Sequence, residues 1–257
     1  MFDQKNARVG SKIKKIVICT TPRTAGHTLS YLIFKAGWGV PAEYFHEDLA
    51  QYLYKRWTGK LLEKREIYKH NLNHYKLELL KHRVNNNIFS VKIFPENHFD
   101  YRKTFDTKNT QYIFLHRKDK IAQLISMLAL YVTGKPYDNN HISKHIPRIQ
   151  KLNEREINKY FKLFISQENY WKIFSARLPK EIQTHIFSEN IIAEPVSGMM
   201  QLSDRFDLEF NPEFTNRDLL LGCAYKQDKE LKKSITLSYG AYIQTLFKNK
   251  ANLFEWP

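Results

Sequence analysis

Lys15–Leu29 reads KIVICTTPRTAGHTL. Its first six residues form a β-branched apolar run, the pattern of a strand buried on both faces of a parallel sheet. Thr21–Thr28 is small and polar with one proline, and reads as a turn. Leu29–Ala36 then reads as a helix closed by Gly37. Strand, small-residue loop and helix in that order outline an anion site, because the first-turn N–H groups and dipole of a helix attract phosphate or sulfate. Thr24, Ala25 and Gly26 let the backbone approach an anion closely. Arg23 offers two parallel donors, and Thr24 and Thr28 add hydroxyls. The alternative is a plain strand–turn–helix with an exposed arginine. The nucleotide pattern G-x-x-x-x-G-K-[ST] is not met. Gly59-Lys60 is followed by Leu61, and Gly134-Lys135 by Pro136.

Outward from this stretch, Ile88–Phe94, Gln111–His116 and Thr184–Phe187 read as further strands. His46–Arg83 is helical in character, punctuated at Gly59 and Asn85–Asn87. Asp119–Tyr131, Glu154–Arg177 and Ile191–Phe206 read as helices, and the tail adds more helix with basic stretches at Lys226–Lys233 and Lys248–Lys250. Strands alternating with helices predict an α/β fold, a central parallel sheet flanked by helices with helical insertions. No linker is visible, so residues 1–257 are read as one domain. Within it, 1–14 is a flexible lead-in and 46–87 a helical insertion.

The 257 residues carry 41 Lys and Arg against 26 Asp and Glu, a net charge of +15. That excess favours polyanionic partners, or else reflects a lysine-rich surface. Hydrophobic residues make up 42% and aromatic residues 14%, enough for a core and too rich for a disordered chain. The longest apolar run, near Ile121–Val132, is interrupted by Gln123 and Ser126 and is short for a membrane span. Met1–Lys15 lacks the apolar core of a secretory signal. Cys19 and Cys223 alone build neither a disulfide framework nor a zinc site, so the expected setting is a reducing cytoplasm.

A second constellation follows the third strand. Arg117 stands at its carboxyl end, where ligands bind in open α/β sheets, and Ser126 lies nine residues on in the next helix. An arginine and a hydroxyl so placed could share one phosphate. The competing reading has Asp119 capping the helix and Arg117 on the surface.

The two constellations together resemble the sulfotransferases that use 3′-phosphoadenosine-5′-phosphosulfate (PAPS). The nearest resemblance is to the trehalose 2-sulfotransferase family, then to bacterial nodulation and lipopolysaccharide sulfotransferases. It rests on Thr21–Leu29, Gly37 to Pro41-Ala42-Glu43-Tyr44-Phe45, Ser90-Val91-Lys92-Ile93, and Leu115–Ser126 continuing to Thr133-Gly134. That is about half of the chain, with a weaker echo at His185–Asn190. The resemblance implies a P-loop-like fold and sulfonate transfer from PAPS to a hydroxyl of a carbohydrate or glycolipid. By it Arg23, Thr24, Ala25, Gly26, His27 and Thr28 hold the 5′-phosphosulfate, Arg117 and Ser126 hold the 3′-phosphate, and Glu43 is the general base. Arg23 and His27 join Glu43 as catalytic candidates, while Glu43, Tyr44 and Lys92 are candidates on the acceptor side, which the resemblance also implies for the 46–87 insertion. The family's Ser-Gly-Ser is replaced here by Thr24-Ala25-Gly26-His27, and its aromatic after Thr-Gly falls at Tyr137. Lys226–Lys233 is the candidate for the family's basic C-terminal nucleotide contacts.

Sulfonate transfer needs alignment, charge stabilisation and a base rather than much covalent help, so no metal is expected. Glu43 as a base competes with Glu43 as a helix-start carboxylate. Lys92 is equally readable as structure or cleft lining. Tyr52, Tyr54 and Trp57 suit either sugar stacking or a core. The expected partners are the donor, with its product 3′-phosphoadenosine-5′-phosphate, and the sugar acceptor. A homodimer and a peripheral membrane contact are further expectations. The competing classes are a basic nucleic-acid-binding protein and a nucleotide-dependent phosphotransferase. The chain lacks a nucleic-acid-binding motif for the first and the loop lysine for the second.

Overall fold

The computed structural model describes residues 13–60, 72–105, 108–133, 152–210 and 229–248, together with 250 and 254. Much of the lead-in, the middle of the 46–87 insertion, Gly134, Tyr137, Cys223 and Lys226–Asp228 lie outside the described residues.

The elements run β1 (Lys14–Thr20), α1 (Gly26–Lys35), α2 (Glu47–Thr58), α3 (Leu72–Arg83), β2 (Val84–Asn85), β3 (Ile88–Ile93), α4 (Pro95–Thr104), β4 (Thr110–His116), α5 (Lys120–Thr133), α6 (Glu154–Ser175), a 3-10 turn (Lys180–Ile182), β5 (Gln183–Phe187), α7 (Ser188–Ala193), α8 (Pro195–Phe206) and α9 (Lys229–Lys248). The five strands form one α/β sheet in the order β2-β3-β1-β4-β5. β1 pairs parallel with β3 and β4, and β4 with β5; only β2 is antiparallel. The central strands are buried throughout or nearly so, as the apolar runs predict.

The chain divides into two compact units. The first holds the described parts of Met1–Thr20, Ala25–His116 and Leu178–Cys223, and therefore the whole sheet. On one face of that sheet Ile16, Ile18, Ile113 and Leu115 pack with Leu29, Leu32 and Ile33 of α1 and with Ile191, Met199, Leu202 and Phe206 of α7 and α8. An aromatic cluster forms where β3 meets the helices after it. Phe89 stacks on Phe105, and Phe45 sets its edge against Tyr75, Tyr101 and Phe105. The second unit holds Thr21–Thr24, Arg117–Arg177 and the described part of Ala224–Pro257. Its core joins Leu124, Leu128 and Val132 of α5, Ile157, Phe161 and Phe164 of α6, and Ile235, Ile243 and Phe247 of α9.

Three local differences from the sequence expectations have physical causes. The helix expected over Ile191–Phe206 is two helices, split at Glu194, because the residue before Pro195 is pushed out of the helical region (φ −132°, ψ 68°). Asn85–Asn87 is more than punctuation: Asn86 and Asn87 adopt φ of 49° and 59° and turn β2 back onto β3 as a tight hairpin. The helix α4 was not expected; it begins with Pro95 at its first turn and buries His98, Tyr101 and Thr104 at a three-residue spacing.

Candidate active site

In the first unit the loop ends at Ala25, which takes a left-handed conformation (φ 59°, ψ 30°) and lets α1 begin at Gly26, three residues earlier than expected. No side chain caps this helix start, and its first turn holds no acidic residue. The end that attracts anions is thus left without a built-in competitor. Thr28, buried in the first turn, donates its backbone N–H to Ala25 O at 2.9 Å.

The lysine that the loop lacks comes from β3. Lys92 pairs in register with Ile18 of β1 and is 3% exposed. Its side chain lies against the helix start so closely that a Cβ on Gly26 would stand 3.0 Å from Lys92 Cδ. Its Nζ donates to Glu43 Oε1 at 2.8 Å. Burial pulls the Lys92 pKa below its usual 10.5, and the Glu43 carboxylate partly offsets that pull. Lys92 Nζ also stands 3.4 Å from His27 Nδ1. With Lys92 as an ammonium, Nδ1 accepts and the ring proton sits on Nε2 of the exposed His27.

Glu43 reaches Lys92 because the segment before α2 runs beside β3. Ala42 O accepts from Lys92 N at 3.0 Å, and Gly39 (φ 91°) approaches so closely that a Cβ there would meet Ser90 Oγ at 2.7 Å. Glu43 lies outside α2, which begins at Glu47, so it is not a helix-start carboxylate. The next residues anchor it. Tyr44 is buried, its ring stacks on Phe89 and its hydroxyl donates to Val40 O. Its carbonyl accepts from Tyr75 Oη at 2.8 Å. This structure therefore places Tyr44 in the core, where its ring and hydroxyl are already engaged, rather than in an acceptor wall. Of the insertion aromatics, Tyr54 is buried and Tyr52 is exposed.

In the second unit Arg23, Arg117 and Ser126 come together. Arg23 Nε donates to Ser126 Oγ at 2.8 Å, and Arg117 Nη1 donates to Arg23 O at 3.2 Å. Arg23 itself is left-handed (φ 68°), a strained conformation for a residue with a side chain. Asp119 does cap α5, accepting from Ala122 N at 2.8 Å, but Arg117 is half-buried rather than a surface residue. Thr24 is buried and donates to Thr21 O at 3.0 Å.

Below Arg23 lies a polar cluster that the sequence reading did not single out. Gln123 Nε2 donates to Thr21 Oγ1 at 2.9 Å and to Pro22 O at 2.7 Å. Thr21 Oγ1 donates to Glu168 Oε1 at 2.9 Å, while Lys120 Nζ donates to Glu168 Oε2 at 2.7 Å. The available signal was a carboxylate out of place. Ile157, Phe161, Phe164, Gln167, Trp171 and Ser175 are the other buried residues of α6, and Glu168 falls among them at helical spacing. Lys92 carried the same kind of signal, a charge inside the apolar run IFSVKI.

Among the described residues no group of three or more His, Cys, Asp or Glu side chains is placed to hold a metal. Among them, too, no helix is long and apolar enough to cross a membrane.

No protein-family model matches the chain, and no curated protein matches it. Solved structures do. The sulfotransferase domain from the curacin biosynthetic pathway is 16% identical, with a TM-score of 0.51 over 96% of this chain and 100% of that one. Sulfotransferase STF9 from Mycobacterium avium is 14% identical, with a TM-score of 0.55 over 97% of this chain and 79% of that one. The chain thus has the P-loop-like α/β fold of sulfotransferases.

Proposed function

We propose that this chain is a sulfotransferase that moves a sulfonate group from PAPS to a hydroxyl of a carbohydrate or glycolipid acceptor. The observation that carries the reading is Lys92, a buried ammonium laid across the uncapped start of α1 and ion-paired to Glu43. It supplies a cation, a row of helix N–H groups and a carboxylate within one unit. Those are the three requirements of sulfonate transfer: a cradle for the leaving phosphate, charge for the transition state, and a base for the attacking hydroxyl.

In the reaction the acceptor oxygen forms a bond to sulfur, and the sulfur–oxygen bond to the 5′-phosphate breaks. The leaving phosphate keeps the electron pair, facing the α1 amides and Lys92. Glu43 takes the hydroxyl proton. An anionic donor competes with Glu43 for Lys92, so donor binding loosens the 2.8 Å ion pair and releases the carboxylate for its role as base. His27 offers Nε2–H to a sulfonate oxygen. Arg117 and Ser126 take the 3′-phosphate, and Arg23, already on Ser126, contributes charge to it besides its place in the phosphosulfate loop. The sugar class of acceptor rests on the resemblance to the trehalose 2-sulfotransferase family.

Calorimetric titration with 3′-phosphoadenosine-5′-phosphate tests the donor, with 5′-AMP and ATP as controls. The bisphosphate binds tightly and the controls weakly on this reading. Preference for ATP, present only with magnesium, overturns it in favour of phosphoryl transfer. Transfer of labelled sulfonate from PAPS to trehalose, other free sugars and glycolipids then tests the acceptor, and label on none of them removes the sugar assignment.

A further inference from the structure

Hydrogen bonds converge on the four residues Thr21–Thr24. Gln123 holds Pro22 O and the Thr21 hydroxyl, Thr21 donates to Glu168, Thr24 folds back onto Thr21 O, and Arg117 holds Arg23 O. The bonds fall on both sides of Arg23, whose backbone stands at φ 68°. A residue with a side chain keeps such a conformation only where its surroundings over-determine it. The deepest of these fastenings is the least expected. Glu168 is 2% exposed and sits on an otherwise mostly apolar stripe of α6. A buried ion pair is often matched in stability by apolar residues of similar volume, so Lys120–Glu168 is weak evidence of a stabilising role alone. The carboxylate divides its oxygens: Oε2 meets the Lys120 ammonium, and Oε1 faces the Thr21 hydroxyl.

We infer that Glu168 is a positioning residue for the donor loop. It is held by Lys120 and acts through the Thr21 hydroxyl to keep Arg23 in its left-handed conformation and its Nε on Ser126. Glu168 touches no reacting atom in this scheme. The inference rests on the proposed donor-binding role of the loop for its functional meaning, and on the loop geometry alone for its structural content.

Three variants test it with two readouts. Thr21→Val removes the hydroxyl and keeps the shape, and Thr21→Ser restores the hydroxyl. The double variant Lys120→Met, Glu168→Met removes the pair without leaving a buried charge, so it decides the matter if Thr21→Val does not fold. The first readout is amide hydrogen exchange of the 21–25 stretch in the full chain, which needs no nucleotide. It rises at least tenfold in Thr21→Val and in the double variant, and stays near wild type in Thr21→Ser. The second is donor kinetics: KM for PAPS rises at least tenfold while kcat at saturating donor changes less than threefold. Unchanged exchange in the folded variants overturns the inference whatever the nucleotide does. Protected loop amides in a wild-type protein that binds no bisphosphate would overturn the donor reading instead.

Discussion

The two polar clusters of this molecule are built on different plans. In the first unit Lys92 and Glu43 make a short ion pair whose carboxylate side chain is 25% exposed, and the Lys92 contact to His27 is a longer 3.4 Å. In the second unit Arg23 is braced by Ser126, Arg117 and, through its neighbours, by Gln123 and Glu168. One cluster has a charge free to change partners and titratable at its centre. The other uses guanidinium groups, whose charge does not vary over the accessible pH range, in a braced setting. On the proposed function the contrast is a division of labour, with chemistry where partners can exchange and recognition where they cannot.

The largest effect that could break this contrast is at Glu43. Glu43→Gln should lower turnover by about two to four orders of magnitude, the usual span of general acid–base catalysis, with bisphosphate affinity retained. A fully active variant, in a sulfonate-transfer assay, would remove Glu43 as the base. Next comes Arg117→Ala, which should weaken bisphosphate binding by more than about tenfold, because a charge-assisted contact is lost and Arg23 O loses its donor. Calorimetry giving wild-type affinity would end the 3′-phosphate assignment.

A pH profile sharpens the comparison further. Burial lowers the Lys92 pKa, so the charge that the proposed function assigns to transfer is given up at a lower pH than an ordinary lysine's 10.5. Activity should therefore fall on an alkaline limb below that value, while bisphosphate binding through the arginines of the second cluster persists. Two limbs with one midpoint would contradict the division. The smallest effect is at the end of the loop. Ala25→Gly relieves a left-handed residue and should stabilise the protein by up to about 1 kcal/mol, read as a higher urea midpoint at unchanged slope.

Much of the frame was legible because buried strands announce themselves as β-branched runs. Lys15–Thr20 and Gln111–His116 differ from the observed strands by one residue at one end. Arg117, Ser126 and the small-residue loop stood out by residue type and position, and the structure brings Arg117 and Ser126 to Arg23. Pairings were not. Strand alternation says that Lys92 shares a face with Ser90, but only the β1–β3 register and the run of Gly39–Glu43 beside β3 bring it to Glu43. Tyr44, a candidate on the acceptor side beside Glu43, is instead buried. Its burial follows from packing on Phe89 and Tyr75, which local sequence does not encode. Glu168 was missed for the same reason, since its partner Thr21 lies 147 positions away.

That separation has a consequence for how the chain is made. Residues 21–24 belong to a unit whose remaining described residues all come from position 117 onward. At synthesis rates of about 5 to 20 residues per second, the loop leaves the ribosome roughly 7 to 30 s before Glu168 is available to hold it. Neither unit is one continuous stretch of chain, so no single cut releases either of them whole. Residues 21–24 thus leave the ribosome well before the part of the chain that gives them their shape. A nascent chain stalled before the middle of α6 would carry every arginine of the second cluster and still lack the scaffold that aims them.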